Sequence, residues 1–410
     1  MFTKGFLRGV FVILLTAAAV SGLSAGAGAE APKNTAKPVK IGIVFWQLDS
    51  NALLVQKYFK DYVGPRLNVE FMFSEAIDNA DKLMTFMENA YAAGCQGIMN
   101  YQNSSIPQAI AKANELGMYI ATQAPFVEDN KMLPYNVGFV AAEASSVAKS
   151  FGELVKDMLN DGQKHSIIII SAGSAFGNPE HHEATIAILQ TLADLYGLKY
   201  TKEIKDLAVT RAETEAANDK NVKIVIYPGY PTGNTYVTGL STLLQTGEYD
   251  TILACNAAYA RCAVAIDEVE KAYKKNIRIS AITMIDDSTK TSFTTKDSTG
   301  DSSLNSAVVT PSISTAAGLF ALVYNGITGH AERMRVNNTA YYFNSPKWKC
   351  IGAEEYTRIE KVNTSDTAWE VDIDDLKKML TAFNPQADAQ SIYKQLESIT
   401  AESVLKARGL

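Results

Sequence analysis

Val39-Lys40-Ile41-Gly42-Ile43-Val44-Phe45 is a short run of β-branched and apolar residues. The loop Trp46-Gln47-Leu48-Asp49-Ser50 separates it from Asn51 to Val63, where Leu54, Val55, Tyr58, Phe59 and Tyr62 fall on one helical stripe. The same order of strand, polar loop and amphipathic helix then repeats. Strands are expected at Val69 to Phe73, Gly97 to Tyr101 and Tyr119 to Thr122, with helices at Ala80 to Ala93 and Ile106 to Leu116 between them; Gly94 ends the first of these helices. Parallel strands need crossover connections, so this repetition predicts a parallel sheet with helices on both faces.

A second series starts at the helix Ala142 to Leu159. Its strand Ser166 to Ser171 carries Ile167-Ile168-Ile169-Ile170 and reads as buried on both faces. It continues through helix Glu180 to Tyr196, strand Lys223 to Tyr227, helix Thr235 to Thr246, strand Thr251 to Cys255, helix Tyr259 to Tyr273 and strand Ile277 to Ile285. The expected fold class is therefore α/β, with two doubly wound parallel-sheet lobes. Between Leu198 and Asn221 the chain carries an insertion with a charged, helix-like stretch around Ala212 to Lys220.

Working outward, the N-terminus reads as an export signal over residues 1-29. Lys4 and Arg8 precede an apolar run from Val10 to Val20, and Ala27-Gly28-Ala29 places cleavage before Glu30. A polar leader, 30-38, follows. The run is too short for the ~20 apolar residues of a membrane span, so a periplasmic location is expected. The 410 residues are 47% hydrophobic and 20% charged with a net charge of -6, enough for a large core and the wrong sign for nucleic acid. Four cysteines, Cys95, Cys255, Cys262 and Cys350, have neither zinc-site spacing nor the density of a disulfide framework, and are expected as buried free thiols.

Open α/β sheets bind ligands beyond the carboxyl ends of their strands. The loops there alternate aromatics with amides, hydroxyls and carboxylates: Trp46, Gln47, Asp49 and Asn51 after the first strand, Tyr101, Asn103 and Ser104 after the third, Gln123 after the fourth. The second half supplies Phe176, His181, Tyr230, Asn256 and Asp286. Rings cover the apolar faces of a sugar-like ligand, and amides and carboxylates satisfy its hydroxyls, whose unpaired burial costs ~1–3 kcal/mol each. Taken singly, Asp49, Ser50 and Asn178 also read as helix N-caps.

With these segments in place the chain resembles the type I periplasmic solute-binding proteins, the ribose-binding class serving ABC importers. The resemblance runs from Val39 to Gly329. It rests on the first strand and its loop, on Ala93-Gly94-Cys95-Gln96-Gly97-Ile98-Met99-Asn100, and on Asp250-Thr251-Ile252-Leu253-Ala254-Cys255-Asn256. It implies that Asn256 and Asp286 contact the ligand and that Thr310 takes a hinge-side polar position. It also implies a three-segment hinge, with an N-terminal lobe of 39-138 plus 311-329 and a C-terminal lobe of 139-310 plus 330-345; the remaining extension, 346-410, is longer than the class requires and reads as packed on a lobe or the hinge, with partner docking as the alternative. Tyr341-Tyr342-Phe343, a strand at Trp369-Glu370-Val371-Asp372 and a helix from Asp374 to Phe383 fall beyond Gly329.

Two positions depart from the class. Gln123-Ala124 stands where an Asp-Arg pair is usual, and Ala257 follows Asn256 where an acid is common; the first change removes a charge-assisted clamp on hydroxyls. The segment Asn178-Pro179-Glu180-His181-His182-Glu183 lacks the usual Arg, with His181 or His182 as a substitute. Neighbouring helical residues point apart, so these histidines form no metal set, and no metal or cofactor is expected. There is no G-x-S-x-G, H-E-x-x-H or C-x-x-C motif, so the reading is capture of a small polar ligand, most readily a monosaccharide, and not catalysis. The partners implied are that ligand and an ABC permease, with the protein a monomer; a chemoreceptor or histidine kinase is the alternative listener.

Overall fold

Apolar runs become strands where both of their faces can be covered, and fourteen strands form among the described residues, which are 37–102, 104–124, 130–219, 221–364 and 369–410 of a computed structural model. In chain order they are β1 Val39–Phe45, β2 Val69–Ala76, β3 Gly97–Asn100, β4 Tyr119–Thr122, β5 Asn136–Ala141, β6 Ile167–Ala172, β7 Thr214–Asp219, β8 Val222–Pro228, β9 Thr251–Ala254, β10 Arg278–Met284, β11 Ser306–Thr310, β12 Arg335–Val336, β13 Thr339–Asn344 and β14 Trp348–Ile351. The expected export segment lies outside the described residues. Pro38–Leu410 form one unit.

Two sheets result, ordered β12-β13-β5-β4-β3-β1-β2 and β14-β11-β10-β9-β6-β8-β7. Pairing is parallel except at the margins, where β12–β13, β7–β8 and β11–β14 are antiparallel. Ile167 to Ile170 are fully buried, because helices cover both faces of the second sheet. The helix Ser312–Asn325 is buried from Ile313 onward and packs on β3, β4 and β5. Gly97 permits that approach, since a Cβ there would collide with Val323.

Three expectations are corrected. The stretch 330-345, placed in the second lobe, instead supplies β12 and β13 to the first sheet. Asn337 and Asn338, both at positive φ, close the β12–β13 hairpin. Tyr341 to Asn344 then pair in parallel with Gly138 to Ala141, covering an edge of β5 that would otherwise stay open. The third passage between lobes is accordingly Ser345-Pro346-Lys347, after the first between β5 and the helix Ala144–Leu159 and the second at Pro311.

The expected helix-like stretch around Ala212 to Lys220 is not helical over its described residues, 212–219. Thr214–Asp219 forms β7 on the edge of β8, burying Ala216 and Ala217, so an available sheet edge outweighs helix-forming composition. Trp369 to Asp372 is not a strand either. It is irregular and buried, with the Trp369 ring 5.1 Å from Tyr58 and 5.9 Å from Tyr62, and with Val371 accepting from the Tyr58 hydroxyl at 2.9 Å.

The C-terminal residues touch both lobes. β14 joins the second sheet, and the helix Gly352–Thr364 packs on the helix Asp287–Thr294. The helix Ala389–Glu397 lies against β13 and Ser312–Asn325 in the first lobe, and Ala401–Ala407 returns to Gly352–Thr364. One apolar cluster runs from Ile41 and Val140 to Ile252 and Val309 and includes Trp348, Trp369 and Leu396. All four cysteines are free and buried, and burial raises each thiol pKa, that of Cys262 to about 11.

Candidate functional site

The tips of β1 and β10, one from each sheet, face each other. The helix Ser50–Lys57 after β1 and the turn after β10 line one small cavity of about 80 Å³ through Ser50, Asn51 and Leu54 on one side and Ile285, Asp286 and Asp287 on the other. Asn51 spans the junction. Its Oδ1 accepts from the Ser312 hydroxyl at 2.8 Å, and its Nδ2 lies 4.0 Å from Met284 Sδ in the second lobe. Trp46, at the tip of β1, is 44% exposed, and Phe176 and Tyr230 at the second lobe's tips are 52% and 42% exposed. Three aromatic rings in water at strand ends have no role in the core and suit stacking on a ligand.

Several expected contacts are committed elsewhere. Asp49 is the N-cap of Ser50–Lys57: Oδ1 accepts from the Ala52 N–H at 2.9 Å and Oδ2 from Gln47 Nε2 at 2.6 Å. Asp286 caps Asp287–Thr294 through the Thr289 N–H at 2.7 Å, and its carbonyl accepts from the Tyr356 hydroxyl. Capping competes with ligand contact for the same oxygens, so both carboxylates serve their own helices first. The Ser104 hydroxyl accepts from Gln102 Nε2, whose Oε1 in turn accepts the Ser104 N–H. Gln123 hydrogen-bonds through its backbone to the Asn100 carbonyl. Asn103 lies outside the described residues.

Others keep a polar group available. Tyr101 lies against Phe45, ring centres 5.4 Å apart; its hydroxyl is buried with no partner among the described residues, and burial raises its pKa far above the ordinary value. His181 is buried and its Nδ1 accepts from the Gly173 N–H at 2.9 Å, which leaves the proton on Nε2. Burial lowers its pKa, against an opposing pull from Glu180, so the ring is a neutral donor. Tyr230 sits 5.9 Å from His181, centre to centre. Asn256 Oδ1 accepts from the Ala258 N–H at 2.9 Å, turning its amide nitrogen into the group left for a ligand.

Beside Thr310, the second sheet's edge also holds Lys347, which the sequence reading did not single out. Thr310 Oγ1 accepts from Lys347 Nζ at 2.5 Å, and Glu180 Oε2 is 3.9 Å from the same ammonium. Tyr356 and Glu360, from the C-terminal helix Gly352–Thr364, complete the rim of the cavity at Asp286. No spacing or motif marks these positions, because their proximity to the tips depends on how residues beyond β13 pass back across the lobes.

No family model and no curated protein matches the chain. Solved structures do. An ABC transporter solute-binding protein from Bacillus halodurans with bound myo-inositol is 16% identical and superposes with a TM-score of 0.51 over 80% of this chain and 99% of its own. One from Burkholderia graminis in complex with D-arabinose is 12% identical, with a TM-score of 0.52 over 77% and 96%. The periplasmic component of the arabinose ABC transporter from Shewanella sp. ANA-3, bound to L-arabinofuranose, is 11% identical, with a TM-score of 0.51 over 80% and 96%. The fold is that of a type I periplasmic binding protein. Of the residues expected at the site, Asn51 and Asp286 border the one cavity between the β1 and β10 tips. Among the described residues no helix is long and apolar enough to cross a membrane.

Proposed function

We propose that this chain is the periplasmic ligand-capturing component of an ABC importer, taking a small polyhydroxy compound such as a monosaccharide or polyol by closure of two lobes. The observation that carries the reading is the opposition of the β1 and β10 tips across one cavity, with Asn51 on one side and Asp286 on the other; Trp46, Phe176 and Tyr230 are exposed in the loops after β1, β6 and β8. A ligand touching both lobes at once favours the closed form, since only differential affinity shifts such an equilibrium. Trp46, Tyr101 and Tyr230 supply ring faces, while His181 Nε2 and the Asn256 amide supply donors. Solved proteins of the same fold hold myo-inositol, D-arabinose or L-arabinofuranose, which supports this ligand class. The N-terminal export signal supports a periplasmic location, and an inner-membrane permease is the partner.

Native mass spectrometry of the purified protein tests this. The expected result is a co-purifying neutral sugar or polyol, released chemically unchanged on denaturation, whose re-addition lowers the radius of gyration. A ligand recovered in altered form, or no change in scattering on re-addition, overturns the reading.

A further inference from the structure

Lys347 stands in the third passage between the lobes, and its side chain is only 5% exposed. An ammonium has three donors, and the described residues supply one short acceptor, Thr310 Oγ1 at 2.5 Å. Glu180 Oε2, at 3.9 Å, is beyond hydrogen-bond reach. Among the described residues the Glu180 carboxylate makes no hydrogen bond, whereas Asp49 and Asp286 are occupied by their helix caps. A buried ammonium with so few partners is costly unless something else completes its shell.

Both charges belong to the carboxyl edge of the second sheet. Thr310 ends β11, and Glu180 lies in the first turn of the helix Pro179–Tyr196 that follows β6. The gap of 3.9 Å admits an oxygen about 2.8 Å from each charged atom, the length of a charge-assisted hydrogen bond. A hydroxyl fits that place, since it accepts from Lys347 and donates to Glu180. Gln123-Ala124 leaves the fourth strand without a charged pair, and the described strand tips offer no other acid and base held this close without a direct hydrogen bond.

Building on the cleft reading above, we propose that Lys347 and Glu180 form the charged clamp of this site, with one ligand hydroxyl seated between them, and that they select neutral polyhydroxy ligands over charged ones. A ligand carboxylate there is attracted by Lys347 but repelled by Glu180, and an ammonium the reverse, so the net-neutral pair does not offset the desolvation of either charge, and a neutral hydroxyl satisfies both.

The test is calorimetric titration and thermal shift of the full mature protein with matched probes: D-galactose, D-galacturonate and D-galactosamine, then D-glucose, D-glucuronate and D-glucosamine, with L-arabinose and myo-inositol as further neutral compounds. The tightest binder is expected to be neutral, with at least about tenfold preference over any charged counterpart. Lys347→Met and Glu180→Gln should each weaken it about tenfold or more. Lys347→Met should leave the melting temperature of the free protein unchanged or higher, because it removes a buried charge; a merely structural lysine would lower it. A charged sugar that binds better than its neutral parent, or wild-type affinity in both variants, overturns the clamp and leaves the cleft reading intact. No response to any probe counts against both.

Discussion

Asn51 of the first lobe and Met284 of the second meet across the cleft, amide nitrogen to sulfur at 4.0 Å. The same amide's oxygen holds the Ser312 hydroxyl at the second passage between lobes. One side chain thereby joins the β1 tip to the second passage and to the second lobe.

Trp46 is the exposed one of three tryptophans; Trp348 and Trp369 are buried. Closure around a sugar takes its indole out of water while the other two stay as they are. Ligand addition should shift the emission to the blue, and Trp46→Phe should abolish that shift. An undiminished shift in the variant would remove Trp46 from the site.

Asp286, the carboxylate the sequence singled out for ligand contact, spends one oxygen on the Thr289 N–H. Asp286→Ala should cost about 1 kcal/mol of stability through loss of the cap. Asp286→Asn keeps a good cap and should restore it, with ligand affinity within about threefold of wild type. Urea denaturation and titration of the two variants separate the roles.

Glu370 is fully buried in the C-terminal segment. Its Oε2 accepts from the Ser314 N–H and hydroxyl at 2.8 and 3.0 Å, while its Oε1 has no partner among the described residues. Burial, opposed by the Ser314 hydrogen bonds, pushes its pKa from 4.5 up to about 8. The folded state therefore binds this proton more tightly than the unfolded chain. Its stabilising contribution is fully present below about pH 4.5, falls as pH rises, and is lost above about pH 8. Glu370→Gln, which stays neutral, should gain on the wild type across that window by a few kcal/mol in unfolding free energy. Melting temperatures compared at pH 5 and pH 8.5 check this, and an equal gap at both values would refute it.

Trp369 packs its ring on Tyr58 and Tyr62 of the first lobe, and its carbonyl accepts from Arg408 Nε at 3.0 Å. Trp369→Ala should cost about 3–5 kcal/mol. Because the apolar cluster is continuous, the loss should appear as a lower midpoint in a single denaturant transition. Two separate transitions would show the lobes to be independent.

The parallel portions of both sheets were legible because each strand pairs with neighbours from a repeating unit. Ile167 to Ile170 could only be a strand covered on both faces, and Asp49 and Asn178 carry their capping role in plain sequence. What stayed hidden was non-local. β13 carries three consecutive aromatics, Tyr341-Tyr342-Phe343, that suit a strand in either lobe, and only the unfilled edge of β5 decides its sheet. β7 was misread because Glu215, Ala216 and Ala217 favour a helix when no edge is offered. At the site, the aromatic tips were visible as exposed rings in polar loops. Lys347 was not, because Ser345-Pro346-Lys347 reads as an ordinary turn until β13 and β14 are assigned to opposite lobes.

That division of β13 and β14 has a consequence for synthesis. The first sheet lacks an outer strand until residue 344 has been made, and the second until residue 351, so each nascent lobe presents an unpaired margin up to that point. Both lobes thus wait on one short stretch of sequence for the strands that close their margins.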